Sequence, residues 1–477
     1  MTRPIAARIS VTGTGSLARR LGPLVDAAQD CLDRNVVGGG STGGTYLRAG
    51  GGYPDPWTRD AAINAWQAGA WLLPEVTERT LRKVCEPDGS RVVWDDQWWD
   101  QVVWLLGARE LALVAGDRAF AGWAAAVGRA TLRVLDGHCL DPGSGLYRGP
   151  AVMADGITGY PPRLHDPARP ADSFVLDHPA THTAAALSTN ALYVLALSAL
   201  ADLCDLAGVA SRPWRERSDR LAERIRTHFR LPDGRFGYLR VDGQVTGEQE
   251  GLGLALAVLA GVTTPDEGRS IVRAAHREPF GLPAVWPAFV GIPAGRFARH
   301  GTALWPMIMG MWAQAVARTG DAARFGRELD ALCGLFEGSD LQFFEVYSPT
   351  TGEPDGGWQA GRDWRSEADQ TWSATTFLGT VLHGLAGLRP VAAGLELRPC
   401  LPPGTDRLEL RGVPWRGSTF DLVLRGSGNR IGHVVVDGSP QPPPAGTRAD
   451  PAERPPAVLR TIPRTVDVTC HEEEPHP

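Results

Sequence analysis

The 477-residue chain sets 54 acidic side chains against 48 basic ones, a net charge of −6 that leaves no basic footprint for nucleic acid. Its 43% hydrophobic and 21% charged residues are the proportions of a soluble globular protein, and no run reaches the roughly 18 apolar residues that span a bilayer. The seven cysteines are scattered and form no CxxC pair, which argues against a disulfide framework and a zinc site. The opening stretch MTRPIAARISVTGTGSLARR lacks an apolar run of signal-peptide length, so a cytoplasmic location is expected. Tryptophan is over-represented, with 16 against 7 tyrosines. That surplus means a heavily aromatic core or stacking platforms.

From about residue 24 to 385 the pattern is helical. Candidate helices run over 22–34, 59–71, 76–85, 97–115, 118–136, 183–207, 213–229, 249–261, 267–276, 302–319, 321–336 and 370–387. Several carry the i, i+3, i+4 spacing of one buried face, as in Leu192, Leu195, Leu197, Leu200 and Leu203. The segment TALWPMIMGMWAQAVA (302–317) is apolar nearly all round and should be wrapped by other helices. Short polar links alternate with long loops rich in Gly, Pro, aromatics and acids, at 35–58, 86–96, 137–182, 277–301 and 337–369. Loops of that length are rare in compact domains and usually functional.

Twelve helices with a long loop after every second one predict a mainly α fold, an (α/α)6 toroid of six helical hairpins over 1–387, with the long loops on one face. A solenoid would need self-similarity at a fixed period, and there is none. Beyond 388 the runs LELRP, DRLELRGV, TFDLVLRG and GHVVVDG alternate with period two and predict a small antiparallel β-sheet domain over 388–440. Residues 441–477 are rich in Pro, Ala, Arg and Glu and are expected to form a flexible tail, with TVDVT (465–469) able to add an edge strand.

Acids stand beside aromatics in the long loops. In PWTRD, N-capping alone would explain Asp60 at a helix start. It would not explain Arg59, held between Trp57 and an Ala/Trp-rich helix, because a buried charge needs a partner. A sugar hydroxyl can form part of one. VVWDDQWWDQVVW (92–104) packs three aspartates and four tryptophans into a capped core helix or a binding surface. In GLYRGPAVMADGITGYPPR (145–163), Asp155 has apolar and aromatic neighbours and no cation adjacent in sequence. Desolvation there would raise its pKa, as a general acid requires, although an Asp-Gly turn is the common alternative. GEQEGLGLAL (247–256) puts Glu248 and Glu250 at a helix start, where the dipole alone favours acids. RHGTALWP (299–306) puts His300 at a similar junction, where a lone histidine is more often structural. Glu345 stands in the apolar run FFEVY, just before a turn-rich, Trp-bearing loop, and catalysis would account for it. Tryptophan faces stack on pyranose rings, carboxylates and arginines bind hydroxyls, and glycoside hydrolysis needs two carboxyl groups flanking the scissile bond.

On these motifs the chain resembles the six-hairpin glycosidases over about residues 45–400. That clan holds inverting trehalases, mannosyl-oligosaccharide glucosidases and glucosylglycerate/mannosylglycerate hydrolases. WTRD (57–60) is also similar to a glucoamylase motif. The resemblance implies that Arg59 and Asp60 bind sugar hydroxyls in subsite −1. It implies that the general acid is Asp155, upstream of the helix motif STNAL (188–192), with Asp177 in VLDHP as the alternative acid. Ala154 stands where the clan commonly has Trp. The implied general base is Glu345 in EVYSPTTGEPDGG. Trp57, Trp94, Trp305 and Trp372 would stack on the sugar, and Gln97, Glu250, His300, Trp358 and Gln370 would complete the substrate contacts.

The implied enzyme is an inverting glycoside hydrolase, with Asp155 protonating the leaving oxygen and Glu345 activating a water on the opposite face. A small α-linked carbohydrate is the expected substrate, an α-glucoside first and an α-mannoside next. No cofactor or metal is called for, neither nucleic acid nor membrane is expected as a partner, and the oligomeric state is not readable. A glycoside phosphorylase or a sugar epimerase on the same toroid is the rival, as is a non-catalytic carbohydrate-binding scaffold. Glu345 speaks against the phosphorylase, and an epimerase would need a base such as His300, His178 or His182.

Overall fold

The computed structural model describes residues 8–38, 44–94, 99–169, 173–289, 291–441 and 456–472. Six helices form an inner ring: Thr58–Asn64 continued through a π-turn to Leu72, Trp104–Ala115, Leu187–Ala207, Gly251–Leu259, Pro306–Thr319, and Thr371–Gly379 continued through a π-turn to Leu385. Each packs on the next, and Thr371–Gly379 closes the circle on Thr58–Asn64. Six others alternate with them outside: Gly15–Asn35, Pro74–Lys83, Arg118–Cys139, Arg212–Phe229, Pro265–Ala274 and Ala322–Gly338. The chain is an (α/α)6 toroid.

Side-chain pattern decides which ring a helix joins. Gly251–Leu259 buries every residue except Leu259, because neighbours cover it on all sides. Leu187–Ala207 is long and apolar enough to cross a membrane by length and composition, yet it is mostly buried within the ring. Arg212–Phe229, outside, buries one stripe made of Ser218, Leu221, Ala222, Ile225 and Phe229. Inner helices also approach closely. A Cβ on Gly107 would sit 2.7 Å from the Ala62 carbonyl oxygen of the neighbouring helix.

The two ends of the ring differ. Links from inner to outer helices are short, with Gly116, Gly208 and Gly320 as left-handed C-caps. Asp117 and Asp321 then cap the outer helices that follow. Links from outer to inner helices are the long loops. None of the six inner helices has a side-chain N-cap. Their positive dipole ends therefore collect at one mouth of the toroid.

Six strands form the larger sheet, in the order Ser10–Thr14, Arg407–Trp415, Ser418–Gly426, Thr465–His471, Arg430–Val436, Ser439–Gln441. The N-terminal strand pairs antiparallel with Arg407–Trp415, Ser10 lying opposite Arg411. Thr465–His471 is not the edge strand expected of TVDVT. It lies inside the sheet, parallel to Ser418–Gly426 and antiparallel to Arg430–Val436, because Val466, Val468 and Cys470 all point into the core. Ala457–Leu459 pairs with Gly394–Leu397 in a smaller sheet. The remainder of the expected tail, 442–455 and 473–477, lies outside the described residues. All seven cysteines are free and buried.

Candidate active site

The mouth of the toroid holds a cleft of about 490 Å³ that gathers Trp57, Arg59, Asp60, Asp155, His300, Trp305, Glu345, Gln370 and Trp372. Arg59 and Asp60 sit in the first turn of one inner helix, while Trp305 and Gln370 occupy the N-cap positions of two others. The long loops bring in the rest.

Arg59 donates from Nη1 to Asp155 Oδ1 and from Nη2 to Asp155 Oδ2, both at 2.7 Å. The same Nη1 lies 3.3 Å from Asp100 Oδ2. Asp155 therefore does not occupy the cation-free setting that its sequence neighbours suggest. Its cation comes from 96 residues away, across the ring. The backbone fixes its place, with the Asp155 carbonyl accepting from Val175 N at 2.7 Å and Ile157 N donating to the Ser173 carbonyl at 2.9 Å. Gly156 serves close approach here. A Cβ there would fall 1.7 Å from Gln359 Oε1 and 2.2 Å from His300 Nδ1.

Glu345 has its own guanidinium. Arg299 Nη2 donates to Glu345 Oε2 at 2.6 Å, and Tyr53 OH donates to Oε1 at 3.2 Å. Burial, with Glu345 beside it, pushes the Tyr53 hydroxyl above its ordinary range, so Tyr53 remains a donor. Arg299 is steadied by the Gly356 carbonyl at 3.2 Å and by the faces of Trp305 and Trp364 at 5.1 and 5.5 Å. Arg59 is likewise 5.8 Å from the Trp372 ring, and Trp372 meets Trp305 edge-on at 5.9 Å. The inner tryptophans thus hold the two arginines, while half-exposed Trp57 offers its face at the rim.

Asp60 lies buried among these charges. Burial pushes its carboxyl up to about 7, with Arg59 pulling it down and Glu345 and Asp155 pushing it further up. His300 goes the other way, held down to about 4 by burial and by Arg299. Its Nδ1 lies 2.6 Å from Gln359 Oε1 and its ring stacks on Trp305. The amide oxygen accepts, so Nδ1 carries the proton of a neutral imidazole and Nε2 is an acceptor.

Four residues expected in the site lie elsewhere. Trp94 packs edge-on against His138, with ring centroids 4.8 Å apart, and does not line the cleft. Glu250 accepts from Ser188 N at 3.0 Å and so serves the uncapped start of Leu187–Ala207. It sits behind the cleft, beside a small cavity shared with Met153 and His300, and burial pushes it up to about 8. Trp358 pairs by backbone with Phe297 and Arg299, leaving its neighbour Gln359 and Trp364 to line the cleft. Asp177 is partly exposed, faces Arg169 at 3.8 Å and does not line the cleft. Gln97 lies outside the described residues. The structure adds Tyr53, Phe174, Arg299, Gln359 and Trp364 to the lining, and Asp100 as a support. The signal for Arg299 was present: a buried Glu345 needs a cation, and Arg299 stands next to His300.

The cleft thus holds two carboxyl–guanidinium pairs and a carboxyl of raised pKa within aromatic walls, a set able to move protons at an oxygen bound between them. The solved structures that resemble the chain share this fold. A sialidase structure matches with a TM-score of 0.67 at 14% identity, covering 91% of this chain and 40% of its own. A GH78 family rhamnosidase of Bacillus sp. GL1 matches at 0.60 and 16% identity, covering 88% and 42%. This chain spans about two fifths of the length of either. A GH63 mannosylglycerate hydrolase from Thermus thermophilus, in complex with Tris and D-glycerate, matches at 0.56 and 19% identity over 75% of this chain and all of its own. No curated protein matches the sequence. The family described as the mannosylglycerate hydrolase MGH1-like glycoside hydrolase domain matches residues 53–373, and the chain belongs to that family.

Proposed function

We propose that the chain is an inverting glycoside hydrolase acting on a short α-linked glycoside. The observation that supports this reading is a pair of carboxyl groups, Asp155 and Glu345, each on its own guanidinium and both lining one tryptophan-walled cleft. Glu345, oriented by Arg299 and Tyr53, accepts the proton of the attacking water. Asp155 gives its proton to the leaving oxygen. Its bridge to Arg59 is the contact a leaving group has to displace. An arriving leaving group competes for that carboxyl, and a weakened bridge lets Asp155 carry the proton. Asp60, protonated up to about 7, can both donate to and accept from sugar hydroxyls.

A second reading rests on the same raised pKa. In it, Asp60 is the proton donor and Asp155 only holds Arg59. Depth favours the first reading, because Asp60 is buried whereas 26% of the Asp155 side chain stays accessible. A dinitrophenyl glycoside separates them, since its leaving group needs no proton. The Asn variant of the true acid keeps activity on it and loses activity on natural substrates.

Hydrolysis is favoured over phosphorolysis because both cleft arginines are already paired with carboxylates. The sugar is an α-glucoside first and an α-mannoside next. The Thermus thermophilus relative binds D-glycerate in one structure and glucose in another, so glycosyl-glycerates lead the substrate panel. An NMR time course should report release of the inverted anomer without phosphate. A retained anomer, or product only with phosphate, would overturn the proposal.

A further inference from the structure

The opposite end of the toroid carries a second cavity, of about 350 Å³, between the C-terminal ends of the inner helices and the accessory sheets. It shares no lining residue with the cleft. Trp305, in the cleft, and Arg318, in the cavity, stand at the two ends of one helix, about 20 Å apart at the α-helical rise. Five arginines line the cavity, Arg109, Arg318, Arg389, Arg398 and Arg430, against two carboxylates, Glu110 and Asp202. Both carboxylates are held by Arg109, and Asp202 also by Arg215. Arg389 has Glu396 at 3.6 Å. Arg318, Arg398 and Arg430 make no ion pair with a described residue, and Arg398 Nε is buried without a hydrogen-bond partner.

Offsetting the negative ends of the inner helices would account for one or two cations here. It does not account for guanidinia that crowd one another. Desolvation against the cavity wall, with Arg389 and Arg398 crowding it, holds the Arg318 pKa below the ordinary arginine value, although Arg318 and Arg389 keep an exposed side. Like charges held this close repel one another, and an anion between them would relieve the repulsion. From the cavity, its surplus of arginines and the orphaned Arg398 Nε, we infer a binding site for a small organic phosphate. Several unpaired guanidinia offer more donors than the two oxygens of a carboxylate can use, and they match a phosphate monoester in charge and in number of acceptors. The volume suits a molecule of sugar-phosphate size, and Trp66, Leu195, Leu259 and Ile431 supply an apolar flank for its carbon skeleton.

The test is calorimetry on the full chain at constant ionic strength, with glycerol 3-phosphate and glucose 6-phosphate as probes and citrate as the carboxylate control. Saturable binding of a phosphate probe is expected, weakened at least about tenfold in Arg318→Met and in Arg398→Met and largely kept in Arg318→Lys. Glu345→Gln, at the other end, should bind as the wild type does. If Arg318→Met fails to fold, Arg430→Met reads the same site from the sheet side. Absence of saturable binding, affinity unchanged in the methionine variants, or citrate binding as tightly as the phosphates would overturn the inference.

Discussion

Arg59 holds both oxygens of Asp155 at 2.7 Å and touches Asp100 with the same Nη1. One planar fork thus ties the start of an inner helix to the loops that carry Asp100 and Asp155. Lysine would keep the charge and lose the fork. Arg59→Lys is expected to lower kcat/KM about 100-fold with the fold intact by circular dichroism. Wild-type kcat/KM in that variant would remove the bridge from the mechanism.

Asp60 makes stability depend on pH in a defined direction. Its carboxyl moves from an ordinary 3.8 to about 7 in the folded chain. Below 3.8 both states hold the proton and nothing is gained or lost. Between those values the unfolded chain releases it and the folded chain does not, so stability falls as pH rises, by about 4 kcal/mol once past the upper value. Asp60→Asn should therefore raise Tm over wild type at pH 8 and leave it near wild type at pH 4, while activity is lost at both. Equal Tm differences at the two pH values would argue against the shift.

If Asp60 must be protonated to bind the sugar, kcat/KM in the wild type should fall on an alkaline limb near its value of about 7. His300, held near 4, should contribute no limb between pH 5 and 8. A profile flat from pH 6 to 9 would count against a protonated Asp60 in the active form.

Replacing Glu345 by glutamine keeps the donors Arg299 and Tyr53 in reach and removes the base. A loss of about 10²- to 10⁴-fold in kcat is expected, with azide restoring turnover as a glycosyl azide of inverted configuration. Full activity in Glu345→Gln would sink the assignment of the base.

Trp57 is half exposed at the rim and supports no arginine. Trp57→Ala should raise KM by up to about tenfold with kcat and Tm little changed, the loss of one stacking face. Trp305→Ala should instead lower Tm, because that ring carries Arg299 and His300. Similar effects of both variants on Tm would mean that Trp57 is also structural.

The fold was legible because helical period is a strong local signal and the long loops punctuate it regularly. The strand Ser10–Thr14 was not, since SVTGT is short, buries only Val11, and finds its partner across the whole ring. In the site, PWTRD and FFEVY stood out as charges among aromatics, and the chain brings both into one cleft. Which cation meets which carboxylate was hidden, because the members of the two pairs stand 96 and 46 residues apart in the chain. Trp94 and Trp358 carry the same local signature as the tryptophans that line the cleft. Backbone pairing of Trp358, not its identity, sends Gln359 into the cleft instead. Glu250 reads as a binding acid locally, yet a neighbouring helix start claims it.

The strand that opens the chain has a consequence for synthesis. Ser10–Thr14 leaves the ribosome long before its partner around Arg411, with all six hairpins made in between. At ordinary translation rates the edge waits roughly 20 to 80 s for its mate. Throughout that interval an unpaired ribbon is open to other nascent chains. The accessory sheet is thus a clasp that snaps shut only after the last helix has been made. A fragment ending at the last helix would be born with its clasp half missing.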